Sequence, residues 1–292
     1  LRQALEAARG QRRALEVIAV DNASTDGSAE MVRQDFPDVR LVSLPANVGA
    51  SARNAGLAAA KGDIVVTLDN DVLLTTPDDV ERALDVFDRH PRAAVLDFMI
   101  VGPAGALSRR DWCHPRDPDR WAAEEFGTCV VLEGASACRR EVFLAAGGSW
   151  APFFIGHEGW DLGLRLIGAG WDVLYTPDVR VRHLVATSER PSSRIYYTFV
   201  RNAIWVALRN HRAGRAIGSI VQDLALVGYC AARAGQFRAY LRGVRDAAHG
   251  IRQALATRQP LSRDAYARLD AVCAYRPRLA SRVVRHIRER LI

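Results

Sequence analysis

Short runs of β-branched and apolar residues alternate with segments whose apolar positions recur every three or four residues over the first 183 positions. Glu16 to Val20, Val39 to Leu44, Asp63 to Leu68, Ala93 to Val101, Thr128 to Leu132, Val173 to Tyr175 and Val179 to His183 read as strands. Ser28 to Gln34, Ala50 to Ala60, Asp78 to Arg89, Arg140 to Ala146 and His157 to Ile167 read as helices, the third started by Pro77 and the acids after it. The alternation of strand and helix through the first half predicts βαβ units, hence an α/β fold with a mostly parallel sheet flanked by helices. Asp63 to Leu68 (DIVVTL) is apolar almost throughout, which predicts a central strand covered on both faces. The proline, glycine and arginine content of residues 102–119 predicts a long surface excursion.

After Ser192 the strand pattern stops. Ile217, Ile220, Val221, Leu224 and Val227, then Phe237, Tyr240, Leu241, Val244 and Ile251, recur at helical spacing with arginines on the other face. Two parts are therefore expected, residues 1–210 and a basic helical extension over residues 211–292. Charge separates them as well: residues 1–200 carry 22 basic and 28 acidic side chains, and residues 201–292 carry 18 and 5. A helical stripe of Ile220, Leu224 and Val227 beside arginines such as Arg209, Arg212, Arg215, Arg238, Arg242 and Arg245 suits an anionic membrane surface. The same stripe suits packing on the first part or in a homodimer. Nucleic acid is not expected, because Phe237 and Tyr240 fall on the apolar face and are not set out for base stacking.

Composition narrows the class. With 49% hydrophobic and 25% charged residues in 292, the chain buries a core and is neither a disordered tail nor a disulfide-stapled miniprotein. Five widely spaced cysteines show no zinc-ligand or redox spacing, which predicts a reducing, cytoplasmic setting. The most apolar stretch, Ile217 to Ala234, is interrupted by Gln222, Asp223 and Arg233, so no spanning helix is predicted.

In open α/β sheets the ligand crevice lies at the carboxyl ends of the strands. Two acidic clusters follow predicted strands, Asp21-Asn22 and Asp69-Asn70-Asp71. Asp69 and Asp71 flank a single residue and together suit Mg²⁺ or Mn²⁺, which binds through one or two carboxylates and completes its shell with diphosphate oxygens. Solvated turns at strand ends use the same residue types.

Three blocks in order, VIAVDNASTDGS, NVGASARNAGLAAAKGDIVVTLDND and HEGWDLGLRLIGAGWDVLYTPDVRVRH, resemble family 2 glycosyltransferases of the GT-A fold, particularly the rhamnosyltransferase-like branch. The resemblance implies a GT-A-type domain that transfers a sugar from a nucleotide-diphosphate donor with inversion, to a saccharide, lipid-linked or small-molecule acceptor. It implies that Asp21 binds the base with Asn22 beside it in the nucleotide-sugar site, that Asn47, Arg53 and Asn54 lie near base and diphosphate, and that Ser136 belongs to a small-residue loop near the donor sugar. It also implies Asp69 and Asp71 as metal ligands, with His183 as a third. If the acceptor is lipid-linked, the enzyme works peripherally at the inner face of the cell membrane.

The transfer needs a base for the acceptor hydroxyl. The family's Glu-Asp-X-Asp is Glu158-Gly159-Trp160-Asp161 here, with glycine where the usual catalytic aspartate stands. Glu158 and Asp161 share a helix face. Asp161 is favoured as base, with Glu158 orienting the acceptor or acting as base itself, and His157 is a third candidate. Trp150, Phe153, Phe154 and Trp160 offer an apolar acceptor platform or ordinary core. The family's Gly-Gly-Phe-Asp is Gly147-Gly148-Ser149-Trp150, and Arg201-Asn202 matches a recurrent pair without assigned chemistry. The strand that opens family members has no counterpart before Glu16, and Leu1, Leu5 and Ala8 read as the helix after it. That departure and Gly159 motivate a rival reading, a non-catalytic sugar-binding or scaffold protein.

Overall fold

The computed structural model describes residues 1–184 and 193–274; the end of the predicted extension lies outside them. The first elements follow the expected alternation: α1 (Arg2–Arg9), β1 (Ile18–Asp21), α2 (Ser28–Asp35), β2 (Arg40–Ser43), α3 (Ala52–Ala59) and β3 (Ile64–Leu68). Then come β4 (Val72–Leu74), α4 (Asp79–Arg89), β5 (Ala93–Val101), α5 (Pro118–Trp121), β6 (Phe126–Thr128), β7 (Ala135–Arg139), α6 (Arg140–Ala145), α7 (Glu158–Gly168) and β8 (Asp172–His183). Helices α8 (Ser193–Asn210), α9 (Ala213–Arg233), α10 (Phe237–His249), α11 (Ile251–Ala256) and α12 (Arg263–Cys273) complete the described residues.

β1 and β2 pair in parallel as a small sheet, and the other strands form a second sheet in the order β3-β7-β5-β8-β4, with β6 also on β8. Within the second sheet only β5 and β8 are parallel among the described residues, so it is mixed rather than mostly parallel. The cause is β7, which enters antiparallel between β3 and β5. Its Ala-Ser-Ala-Cys sequence has weak strand preference, but tight neighbours on both sides bury all four residues to 2% exposure or less. β3 is correspondingly an edge, paired only with β7 among the described residues and half-buried along its length, not the covered central strand its composition predicts. The two strands expected around Pro177 are one strand, β8, whose register against β5 shifts between Phe98 and Met99.

β5 sorts the core by its period of two. Leu96 and Phe98 pack with Val72, Val86, Phe87 and Val181 on one face, while Val95 packs with Leu57, Phe143, Leu162 and Leu166 on the other. A further cluster joins Phe153, Leu164 and Ile167 to Val200, Ile204, Trp205, Ala247, Leu261 and Leu269, so helices on both sides of residue 210 share one core with α7. Each valine, leucine, isoleucine or phenylalanine among them contributes about 1.5–3 kcal/mol when fully buried. Ile220, Leu224 and Val227 pack into this cluster, so the stripe read as membrane-facing is turned inward. No described helix is long and apolar enough to cross a membrane.

Candidate functional site

β3 ends in the turn Asp69-Asn70-Asp71, closed by Val72 N–H donating to Asp69 O at 3.0 Å. Antiparallel pairing of β4 with β8 sets His183 opposite Val72, and Leu184 N–H donates to Asp71 O at 2.8 Å. His183 Nε2 thereby stands 3.4 Å from Asp71 Oδ2. Asp69 is held differently: its amide donates to Gly134 O at 2.9 Å, and its carboxylate is paired with Arg53. A Cβ on Gly134 would lie 2.3 Å from Asp69 Oδ2, so a side chain there would push the Asp69 carboxylate out of its present position.

Arg53, Asp69, Gly134 and His183, though not Asp71, line a cleft of about 250 Å³ whose other polar walls are Asp111, Glu133 and Glu158, with Val131 and Gly159 among the rest. Among the described residues no three His, Cys, Asp or Glu side chains are close enough to enclose a metal. A carboxylate and an imidazole converging from Asp71 and His183, with Asp69 beside them, nonetheless fit Mn²⁺ or Mg²⁺, which needs few protein ligands when diphosphate and water supply the others.

The opposite wall is the start of α7. Phe154 and His157 there adopt positive φ (62° and 70°), a conformation that side-chain-bearing residues keep only when their surroundings enforce it. Asn202 Nδ2 enforces it, donating to the carbonyls of Phe153, Ile155 and Gly156 at 3.1, 3.0 and 2.6 Å, and Arg201 Nη2 donates to Phe153 O at 2.7 Å. The Arg201-Asn202 pair thus fixes the loop that presents Glu158. Glu158 Oε2 is buried without a hydrogen-bond partner among the described residues, and burial raises its carboxyl above the ordinary range.

Asp161 is not brought to the cleft. It is fully buried between α7 and α8, where Arg165 Nε donates to Oδ2 at 2.9 Å, and Arg209 Nε and Asn210 Nδ2 donate to Oδ1 at 2.9 and 2.6 Å. A carboxylate so paired has no path to an acceptor, which corrects the preference for Asp161 as base. Gly159 faces Val131, whose carbonyl oxygen lies 1.9 Å from where a Cβ would be. Trp150 and Phe153 pack with Trp205 and are core rather than platform.

The remaining expected residues form a neighbouring cluster. Asp21 Oδ1 accepts from Ser24 N–H at 2.9 Å. Asn22 clamps the loop before α3, accepting from Val48 N–H at 2.8 Å and donating to Asn47 Oδ1 and Gly49 O at 3.1 Å each. None of the three lines the cleft; they border it through the loop that leads to Arg53. Asn54 is occupied by both backbone groups of Ser149, at 2.8 and 2.9 Å. Ser136 is 2% exposed and bonded to Thr67 within the sheet, so it does not reach the cleft.

Two acids escaped the sequence reading. Glu133 is 6% exposed, accepts from Ser149 Oγ at 2.5 Å and lies 3.9 Å from Arg53, and burial pushes its carboxyl up to about 7. Asp111 reaches the cleft from the predicted surface excursion. Neither sits at a motif position, and the only signal was an acid beside the glycine that opens β7.

Residues 1–145 match the profile of Glycosyl transferase family 2. That stretch is a family 2 glycosyltransferase domain. Family 2 enzymes invert the anomeric carbon of a nucleotide-sugar donor, and this chain is a glycosyltransferase of that kind. It is 28% identical over 246 residues to N-acetylglucosaminyl-diphospho-decaprenol L-rhamnosyltransferase of Mycobacterium tuberculosis, covering 70% of this chain and 78% of the relative. A second relative, undecaprenyl-phosphate 4-deoxy-4-formamido-L-arabinose transferase of Pseudomonas paraeruginosa, is 37% identical over 125 residues, 41% of this chain and 34% of that protein. The GT-A fold is shared with a Pyrobaculum calidifontis mannosyltransferase solved with GDP-Man and Mn²⁺ (TM-score 0.53, 20% identity, 98% of this chain and 82% of that one). It is shared likewise with S. aureus TarS solved with UDP-GlcNAc (TM-score 0.55, 14% identity, 88% and 79%).

Proposed function

We propose that this glycosyltransferase uses Glu158 as its base, Arg53 and a divalent cation at Asp71 and His183 for the donor diphosphate, and a lipid-linked saccharide as acceptor. The buried, unpartnered Oε2 of Glu158 on the cleft wall carries the reading. The acceptor hydroxyl oxygen attacks the anomeric carbon as the bond to the diphosphate oxygen breaks with its electron pair. Glu158 takes the hydroxyl proton, and a carboxyl raised by burial accepts it more readily than an exposed one. Mn²⁺ or Mg²⁺, when bound, supplies charge neutralisation for the departing nucleoside diphosphate. Arg53 adds a fixed positive charge on the same side of the cleft.

The acceptor class is supported by the polyprenyl-linked substrates in the names of the relatives and by exposed apolar side chains on and beside the loop that leads to Glu158. Ile155 is 46% exposed, and Ile195 and Phe199 are 40% and 42% exposed one turn apart on α8. Phe199 meets His157 edge-on, with ring centroids 5.1 Å apart. Such a patch suits the boundary between a saccharide and a hydrocarbon chain at a membrane surface, the peripheral location this reading assigns. Calorimetric titration with nucleotide-activated L-rhamnose, UDP-GlcNAc and GDP-mannose, each with and without Mn²⁺, tests the donor side. Binding of one donor, strengthened by Mn²⁺ and weakened in Asp71→Asn, is expected; metal-independent binding unaffected by that substitution would sink the cation assignment.

A further inference from the structure

We infer that Asp111, on the loop between β5 and α5, fixes the tautomer of His183 and so decides which ring nitrogen faces Asp71. His183 Nδ1 lies 3.0 Å from Asp111 Oδ2, and Nε2 lies 3.4 Å from Asp71 Oδ2. An ionised carboxylate only accepts hydrogen bonds, so the contact to Asp111 requires the hydrogen of a neutral ring to sit on Nδ1. The Nε2 lone pair is then turned toward the Asp71 carboxylate. Two lone-pair-bearing atoms that close repel unless a proton or a metal cation lies between them, so in the neutral ring this tautomer prepares a mixed nitrogen and oxygen donor pair. The inference rests on the proposed cation site.

Asp111 is itself anchored. Ser108 Oγ donates to the same Oδ2 at 2.6 Å, the Asp111 amide donates to Ser108 O at 3.2 Å, and its side chain is only 17% exposed. The loop is tied to the sheet where Ser108 N–H donates to Ile100 O at 2.9 Å and Val101 bridges Leu107. A segment whose composition reads as a surface excursion thus returns to the cleft for a definite task. The imidazole separates Asp111 from Asp71, so Asp111 acts through the ring and is a positioning residue. A carboxylate behind a metal-facing imidazole typically changes metal affinity by about 10- to 100-fold.

Two readouts test this, both independent of turnover. In ¹⁵N NMR of the metal-free protein at a pH where His183 is neutral, the wild type is expected to show the Nδ1–H form, and Asp111→Ala a mixture. Mn²⁺ affinity measured by electron paramagnetic resonance should fall about 10-fold or more in Asp111→Ala. Ser108→Ala should move both readouts in the same direction by less, and serves if Asp111→Ala does not fold. An unchanged tautomer in a folded Asp111→Ala protein overturns the inference. If the tautomer shifts as expected while wild type binds no Mn²⁺, the cation site fails and the role of Asp111 stands.

Discussion

Asp161 and Arg209, 48 residues apart, meet in the interior, where Arg209 Nε donates to Asp161 Oδ1 at 2.9 Å and each side chain is at most 5% exposed. Arg165 binds the other carboxylate oxygen from one helical turn away, so two buried guanidinium groups share one acid. Asp161 therefore welds α7 to α8. Asp161→Asn keeps the shape and removes the charge, leaving both arginines uncompensated. Breaking a buried pair in this way costs about 3–5 kcal/mol, which chemical denaturation should read as a large drop in midpoint. A variant with wild-type stability and lost turnover would instead return Asp161 to the role of base.

Glu158→Gln is expected to behave in the opposite sense. The amide fills the same space but accepts no proton, so kcat should fall by about 10²- to 10⁴-fold while donor affinity and melting temperature stay close to wild type. Steady-state kinetics beside donor calorimetry separates the two effects. Turnover within a few-fold of wild type would remove Glu158 from the reaction.

Gly159 occupies the position of the usual family aspartate, and the structure gives a packing reason for it. A Cβ would lie 1.9 Å from the Val131 carbonyl oxygen, whose own residue is bonded through its amide to Gly159 O at 3.1 Å. Backbone cannot yield as a flexible side chain does. Gly159→Ala should cost about 1–3 kcal/mol by thermal or chemical denaturation, and Gly159→Asp should not raise turnover. Gain of activity in the aspartate variant would show that α7 and Val131 can part.

These three positions show how far the sequence carried. Acids at Glu158 and Asp161 share a helix face by spacing, so both could be named, but which one is left to face the cleft depends on Arg209 and Asn210, partners that arrive from 48 and 49 residues away. Periodicity likewise revealed α3, α4 and α7, and missed β7 because alanine, serine and cysteine become strand residues only between β3 and β5. Asp69, Asp71 and His183 were legible as strand-end residues. Asp111 and Glu133 were not, since nothing local marks a loop that folds back or an acid whose burial is imposed by Ser149 and Arg53.

Glu133 makes stability depend on pH in a direction opposite to that of most carboxylates. Burial lifts its folded pKa from 4.5 to about 7, with Arg53 and Ser149 only partly opposing the shift. Between those values the native state still holds the proton and the unfolded state has lost it, so stability falls as pH rises through this window and levels off above it. The full effect is on the order of 3 kcal/mol. Glu133→Gln has no charge to bury in either state, so this contribution vanishes. Its stability relative to wild type should therefore increase from pH 5 to pH 8 in urea denaturation, whatever constant difference the amide introduces. A difference that shrinks over the same range would mean that Arg53 holds Glu133 ionised in the native state, and that attraction to the guanidinium outweighs burial.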